Sequence, residues 1–167
     1  MSRTRSTVLS LSGVLVFMGL ALPGGNASSA DADTDTDTAG TRLELTLVGG
    51  PALNPNTQGH ASPVIVRIFD LSSTATFEKA DYAGLFEHPG ESLQHDILAQ
   101  EEVVLRPGDT QEHNRALPPA VKALGVAAAF RDLEHASWRI TVPLKPGKRN
   151  FILIDLDQSR IRLDPVE

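Results

Sequence analysis

The fold is decided by residues 49–86, GGPALNPNTQGHASPVIVRIFDLSSTATFEKADYAGLF. A polar loop rich in Gly, Pro and Asn leads into the apolar run 63–71, which is typical of a central, largely buried strand. A Ser/Thr turn and an amphipathic helix follow; Thr74 or Thr76 can cap its start, and Pro89-Gly90 can end it. This stretch contains no catalytic motif and predicts a loop carried by a β-scaffold.

Outside this stretch, apolar and polar residues alternate over short segments, which is the pattern of half-buried strands. Gly and Pro turns separate the segments, as at Pro107-Gly108 and at Lys145-Pro146-Gly147-Lys148. Leu93, Ile97 and Leu98 predict a second short helix with Ser92 as its cap. The sequence therefore predicts a mainly β fold, a two-sheet β-sandwich with a short helical insertion. The predicted strands are 42–48, 63–71, 102–106, 123–131, 138–144, 150–157 and 160–164.

Residues 1–30 have the parts of a secretory signal peptide, with Arg3 and Arg5 ahead of an apolar segment from Val8 to Leu22. The alternative is an uncleaved N-terminal membrane segment, although about fifteen apolar residues are short for a span of about twenty. Residues 31–41 are rich in Asp and Thr and predict a solvated linker, because they cannot bury enough apolar surface to offset their ordering. Residues 42–167 form the predicted β-sandwich domain.

Composition excludes several functions. The formal net charge of −6 argues against nucleic acid as a partner, because phosphate neutralisation needs a basic surface. The sequence contains no cysteine, which excludes disulfides and Cys-based zinc sites. The histidines are scattered, and Glu101-Glu102 and Asp155/Asp157 lack the setting of an acid–base pair. We therefore predict no catalytic residue, no cofactor site and no metal site.

The loop 49–62 is the strongest candidate for a binding site. It is long for a connection between strands, and long ordered loops usually carry function. Its prolines restrict the backbone, and polar side chains surround a single leucine. This composition is typical of a protein-binding loop on a rigid scaffold, and a flexible hairpin connection is the plain alternative.

Several spaced motifs resemble one bacterial family. They lie at Asn54–Leu71 (NPNTQGHASPVIVRIFDL), Phe77–Phe86 (FEKADYAGLF), Glu101–Asp109 (EEVVLRPGD) and Leu124–Arg139 (LGVAAAFRDLEHASWR). With the strands around them, the chain over 43–157 resembles the TssJ (SciN-like) outer-membrane lipoprotein family of the bacterial type VI secretion system.

The resemblance implies a transthyretin-like two-sheet β-sandwich without catalysis. It implies a place in the periplasm, at the inner face of the outer membrane. It also implies binding to the periplasmic C-terminal region of the inner-membrane protein TssM, within a membrane complex that contains TssL. The family's contact loop joins the first two strands, which is 49–62 in this sequence. The implied partner contacts are Leu53, Asn54, Asn56, Gln58 and His60.

The chain departs from the family at the lipid attachment site, where family members carry a cysteine just after the apolar segment. Residues 20–25 read LALPGG here, so lipid anchoring is not expected from this sequence. Three explanations stay open: a periplasmic protein recruited by its partner, an N-terminal segment retained in the inner membrane, or a difference from the natural chain at its start or at this site. The alternative function is a periplasmic β-sandwich module that binds a carbohydrate or a peptide.

Overall fold

The computed structural model describes residues 40–87 and 95–164. The predicted leader 1–30, most of the linker 31–41, the predicted helix end at Pro89-Gly90, and Ser92 and Leu93 lie outside the described residues. The elements are β1 (Arg42–Gly49), β2 (Val64–Leu71), α1 (Ala75–Lys79), α2 (Tyr82–Phe86), β3 (Ile97–Leu105), β4 (Thr110–Ala116), β5 (Ala123–Ala128), β6 (Arg139–Pro143), β7 (Arg149–Asp157) and β8 (Arg160–Asp164).

The strands form two four-stranded sheets, in the orders β4-β1-β7-β8 and β3-β2-β5-β6. All neighbours are antiparallel except β1 and β7, which run parallel from Arg42 opposite Arg149 to Gly49 opposite Leu156. The prediction of a mainly β, two-sheet sandwich with helices inserted between two strands is confirmed. The edge position predicted for 160–164 is also confirmed, since β8 ends its sheet.

The core lies between the sheets and follows from the alternation along β1 and β7. Leu43, Leu45 and Leu47 of β1 point inward and are fully buried, while the residues between them are partly exposed. Side chains of β2 and β5 are buried on both faces because the helical insertion covers the outer face of their sheet. This double burial explains the nearly continuous apolar runs of the two central strands.

The predicted single helix is two short helices that break at Ala80-Asp81. Ala80 adopts an extended conformation, and the Asp81 carboxylate accepts a hydrogen bond of 2.8 Å from the Gly84 N–H, which caps α2. The Arg139 guanidinium donates to the carbonyls of Phe77 and Ala80, so groups freed by the break are satisfied. Thr74 occupies the N-cap of α1 but forms no side-chain capping bond.

The insertion packs through Phe77 and Leu85, which are fully buried. The Phe77 ring lies 5.4 Å from the ring of Phe69 on β2, and the ring edge rests on Gly125 of β5. A Cβ atom at Gly125 would lie 2.9 Å from the Phe77 ring. Glycine at this position therefore provides the space that docks the insertion on the sheet.

In the middle of the chain one prediction is wrong and one strand is missed. The second short helix is not formed by Ile97 and Leu98, which begin β3; Ile97 pairs with Leu71 of β2, and Leu98 lies at a bulge in the register. The polar strand β4, TQEHNRA, is not predicted at all, because its inward-facing positions are Gln111, His113 and Arg115 rather than apolar residues.

These polar side chains close one side of the sandwich, where β4 faces β3. The Arg115 guanidinium lies 2.5 Å from the carboxylate of Asp70, whose side chain is only 4% exposed. Nδ1 of His113 lies 2.9 Å from the Glu101 carboxylate. Ionic and hydrogen-bonded contacts thus join the two sheets here, in place of the apolar contacts that join them elsewhere.

Candidate functional site

The loop between β1 and β2 lies at the end of the sandwich that also carries the β3–β4, β5–β6 and β7–β8 connections. The Gly49 N–H donates to the Asp109 carbonyl at 2.8 Å, and the Gly108 N–H donates to the Gly49 carbonyl at 2.7 Å. These bonds fasten the β3–β4 turn to the start of the loop. We call this end of the molecule the loop end. It is formed by 50–63, 106–109, 129–138 and 158–159.

Asn54 ties three of these connections together. Its Nδ2 donates to the Pro63 carbonyl at 2.7 Å, and its Oδ1 accepts from the Arg131 N–H at 2.9 Å. Its own N–H donates to the Gln158 carbonyl at 2.7 Å. Asn54 is 3% exposed and has a positive φ of 46°, a conformation that asparagine tolerates better than most residues.

The first part of the loop is fixed to the body of the domain. Leu53 is fully buried and belongs to the inter-sheet core. The Ala52 N–H donates to the Asp157 carboxylate at 3.0 Å. A Cβ atom at Gly50 would lie 2.5 Å from that same carboxylate, so only glycine allows this close approach. These contacts make the loop base rigid.

Asn56 organises the tip of the loop. Its Oδ1 accepts from the N–H groups of Gln58 and His60, both at 2.9 Å, and its own N–H donates to the His60 carbonyl at 2.9 Å. Gly59 completes the turn with a φ of +81°, which favours glycine. The side chains of Gln58 and His60 are consequently exposed on a tip whose backbone is held in place.

An open cleft of about 550 Å³ lies between the loop tip and the neighbouring connections. Arg131 and Asp132 line one side, and both are exposed. Nδ1 of His135 lies 2.9 Å from the Asp132 carboxylate, and this hydrogen bond lowers the pKa of Asp132. The cleft therefore carries a positive and a negative group side by side at neutral pH. Its lining consists of Pro55, Asn56, Thr57, Arg131, Asp132 and Ser159.

The structure thus divides the predicted contact residues into two groups. Gln58 and His60 are exposed at the tip, whereas Leu53 and Asn54 face inward and hold the loop, and Asn56 shapes the tip. Arg131 and Asp132, which line the cleft beside the loop, are not among the residues predicted from the sequence. Both residues lie within the motif 124–139, which is the one sequence feature that could have pointed to them. No local pattern in the sequence shows that this motif lies next to the loop in the fold.

The loop end exposes hydrogen-bond donors and acceptors together with charged groups of both signs. Across 40–87 and 95–164, no three His, Asp or Glu side chains are grouped so that they could hold a metal ion. The helices in the same ranges are five residues long, and none is long and apolar enough to cross a membrane.

Comparison with known proteins adds a family and a set of related structures. Residues 41–159 match the family model described as type VI secretion lipoprotein, VasD, EvfM, TssJ. The crystal structure of the T6SS lipoprotein TssJ1 from Pseudomonas aeruginosa is 32% identical, with a TM-score of 0.72 over 77% of this chain and 99% of that chain. No curated protein matches the chain.

Chains of two further structures are similar. One, described as a type VI membrane complex, is 33% identical with a TM-score of 0.66, over 74% of this chain and 98% of that chain. The other belongs to a structure described as the T6SS protein TssM C-terminal domain from EAEC. It is 32% identical with a TM-score of 0.63, over 75% of this chain and 98% of that chain.

Proposed function

Since the chain belongs to the type VI secretion lipoprotein family of VasD, EvfM and TssJ, we propose that it binds the periplasmic C-terminal region of TssM through its loop end. Members of this family are structural components of the type VI secretion system. The proposal adds the partner and the surface, the β1–β2 loop 49–62 together with the cleft beside it.

Two comparisons support the choice of partner. Similar chains occur in a structure described as a type VI membrane complex and in one described as a TssM C-terminal domain. Both matches cover nearly all of the similar chain, so the whole folded domain is the unit in common. On this basis TssM is the direct partner, and TssL belongs to the larger complex in which the chain takes part.

The geometry of the loop supports the choice of surface, and it is the observation that carries the proposal. Asn54 and Asn56 hold the backbone before any partner arrives, so docking orders few residues and costs little conformational entropy. Gln58 and His60 are our proposed direct contacts, with Arg131 and Asp132 as charged contacts in the cleft. Leu53 and Asn54 position the loop from below.

The location follows from the same proposal. The family is one of cell-envelope lipoproteins, and we place this chain in the periplasm, at the inner face of the outer membrane. In this role the domain does no catalysis and needs no cofactor, because its task is to connect TssM to the envelope.

The test is the affinity of the chain for a periplasmic C-terminal fragment of TssM. Gln58→Ala combined with His60→Ala removes two exposed side chains and leaves the backbone bonds of the tip in place. We expect Kd to rise at least about tenfold, since one well-placed polar contact is worth roughly 1–2 kcal/mol and 1.4 kcal/mol is tenfold. Isothermal titration calorimetry measures the change.

A matched control is Gln100→Ala with His95→Ala, which removes the same two residue types from exposed positions outside the loop end. The control should bind as the unchanged protein does. Equal losses in the two double variants, or no loss in either, would mean that the loop tip does not recognise TssM.

A further inference from the structure

Five basic residues gather at the end of the sandwich opposite the loop end. Their side chains are exposed, although the protein as a whole carries a net charge of −6. We call them the basic cluster: Arg42, Lys122, Lys145, Lys148 and Arg149.

The backbone of the basic cluster is held together by Asn150, which is 9% exposed. Its Nδ2 lies 3.3 Å from the Arg42 carbonyl, 3.1 Å from that of Lys145 and 3.0 Å from that of Lys148. The Lys145 N–H donates back to Oδ1 of Asn150 at 2.7 Å. One buried amide thus fixes the spacing of three cationic residues, so the cluster is a built feature of the fold.

The arrangement brings like charges together. Arg42 and Arg149 are direct neighbours on adjacent strands, a pairing that is unfavourable by itself. Among the described residues, one ion pair involves the basic cluster, and it joins Arg149 to Glu44 at 3.4 Å. Lys122 donates from Nζ to the Pro119 carbonyl at 2.9 Å, and within the same described ranges no carboxylate pairs with Arg42, Lys122, Lys145 or Lys148.

The cluster also lies where the polypeptide enters the domain. Arg42 is the first residue of β1, and its N–H donates to the Lys148 carbonyl at 3.0 Å. The sequence before it holds the apolar segment Val8 to Leu22, and the family is one of lipoproteins. β1 runs from this end to the loop end, about 23 Å away at 3.3 Å per residue.

From these observations we infer that the basic cluster is a docking surface for a membrane that contains anionic phospholipids. The phosphate groups of the lipids would face the Lys and Arg side chains, and the loop end would point away from the bilayer. Where the apolar segment stays on the chain, it and the basic cluster together give firmer attachment than either alone, and where it is removed the basic cluster acts by itself. The inference concerns orientation on the membrane and does not depend on the identity of the partner at the loop end.

The acidic linker, with Asp31, Asp33, Asp35 and Asp37, is the other possible occupant of the cluster. Pairing with it would order the linker for exposed ion pairs that are each worth little. A membrane surface instead attracts all the cations at once, with a contribution near 1 kcal/mol for each Lys or Arg close to it. The energetic comparison therefore favours lipid.

The experiment is flotation of the full chain with vesicles, at low salt. One set contains equal parts of phosphatidylglycerol and phosphatidylcholine, and the other contains phosphatidylcholine alone. We expect the chain to bind the anionic vesicles more strongly than the neutral ones, and this difference to disappear at high salt. Lys145→Gln/Lys148→Gln should bind the anionic vesicles roughly 30-fold more weakly than the unchanged chain. The neutral vesicles report the apolar contribution separately.

The control variant is Arg106→Gln/Arg160→Gln, which removes one exposed charge in the loop end and one directly beside it, at the start of β8. It should bind anionic vesicles as the unchanged chain does. Equal binding to both kinds of vesicle, or an equal loss in the control, overturns the inference. Binding that appears only after the linker aspartates are changed to Asn also overturns it, since the linker would then occupy the basic cluster.

Discussion

Asn54 offers the sharpest test of how the loop end is built. Asn54→Ala removes the hydrogen bonds to Pro63 and Arg131, which are partly buried and so cost about 1 kcal/mol each. Alanine must also adopt the φ of 46°, for roughly 1 kcal/mol more. The expected loss of unfolding free energy is about 3 kcal/mol. Asn54→Gly loses the same two bonds but accepts the backbone conformation, so its loss should be about 2 kcal/mol.

Urea denaturation measures both variants, and the fluorescence of the single tryptophan, Trp138, reports unfolding. With a slope near 1.5–2 kcal/mol per molar urea, the midpoint of Asn54→Ala should fall by about 1.5–2 M. A shift below about 0.3 M would show that the two side-chain bonds do not hold the loop. A glycine variant less stable than the alanine variant would refute the role assigned to the backbone conformation.

Three further predictions concern the scaffold. Gly125→Ala places a methyl group 2.9 Å from the Phe77 ring and should lower the free energy of unfolding by about 1–3 kcal/mol in the same urea assay. Arg115→Ala leaves the buried carboxylate of Asp70 unpaired and should lower the free energy of unfolding by about 3–5 kcal/mol. Adding Asp70→Asn should restore part of this loss, and no restoration would contradict the pairing. Burial, with Asp164 and Asp157 nearby, raises the pKa of Asp155 above its ordinary 3.8, so its ionised form destabilises the native state. Asp155→Asn should therefore raise the melting temperature at neutral pH. This gain should fade as the pH drops through the raised pKa of Asp155 toward 3.8. A gain in melting temperature that persists in acid would point to another cause.

Strands with one buried face could be predicted from the sequence because their pattern is local. Leu43, Leu45 and Leu47 alternate with polar residues in β1, and burial alone explains the pattern. β4 could not be predicted, since its inward positions are filled by polar side chains that bond across the sandwich. The partners of those side chains lie far away in the chain, so no local signal marks them.

The helix break and the hydrogen bonds that build the loop end could not be predicted from the sequence for a related reason. The helix break at Ala80-Asp81 depends on Arg139, which is distant in sequence but donates to the carbonyl groups at the break. Asn54 was predicted as a contact because it is polar and lies in a loop. Its bonds to Pro63, Gln158 and Arg131 depend on three connections that meet only in the folded domain.

Recognition of TssM by the loop end can be tested by hydrogen–deuterium exchange. The exchange of the chain is compared with and without the periplasmic C-terminal fragment of TssM. We expect slower exchange in peptides that cover 55–62 and 130–135, and no change over 145–150 in the basic cluster. Protection confined to 145–150, or to the helical insertion at 75–86, with unchanged exchange over 55–62, would contradict it.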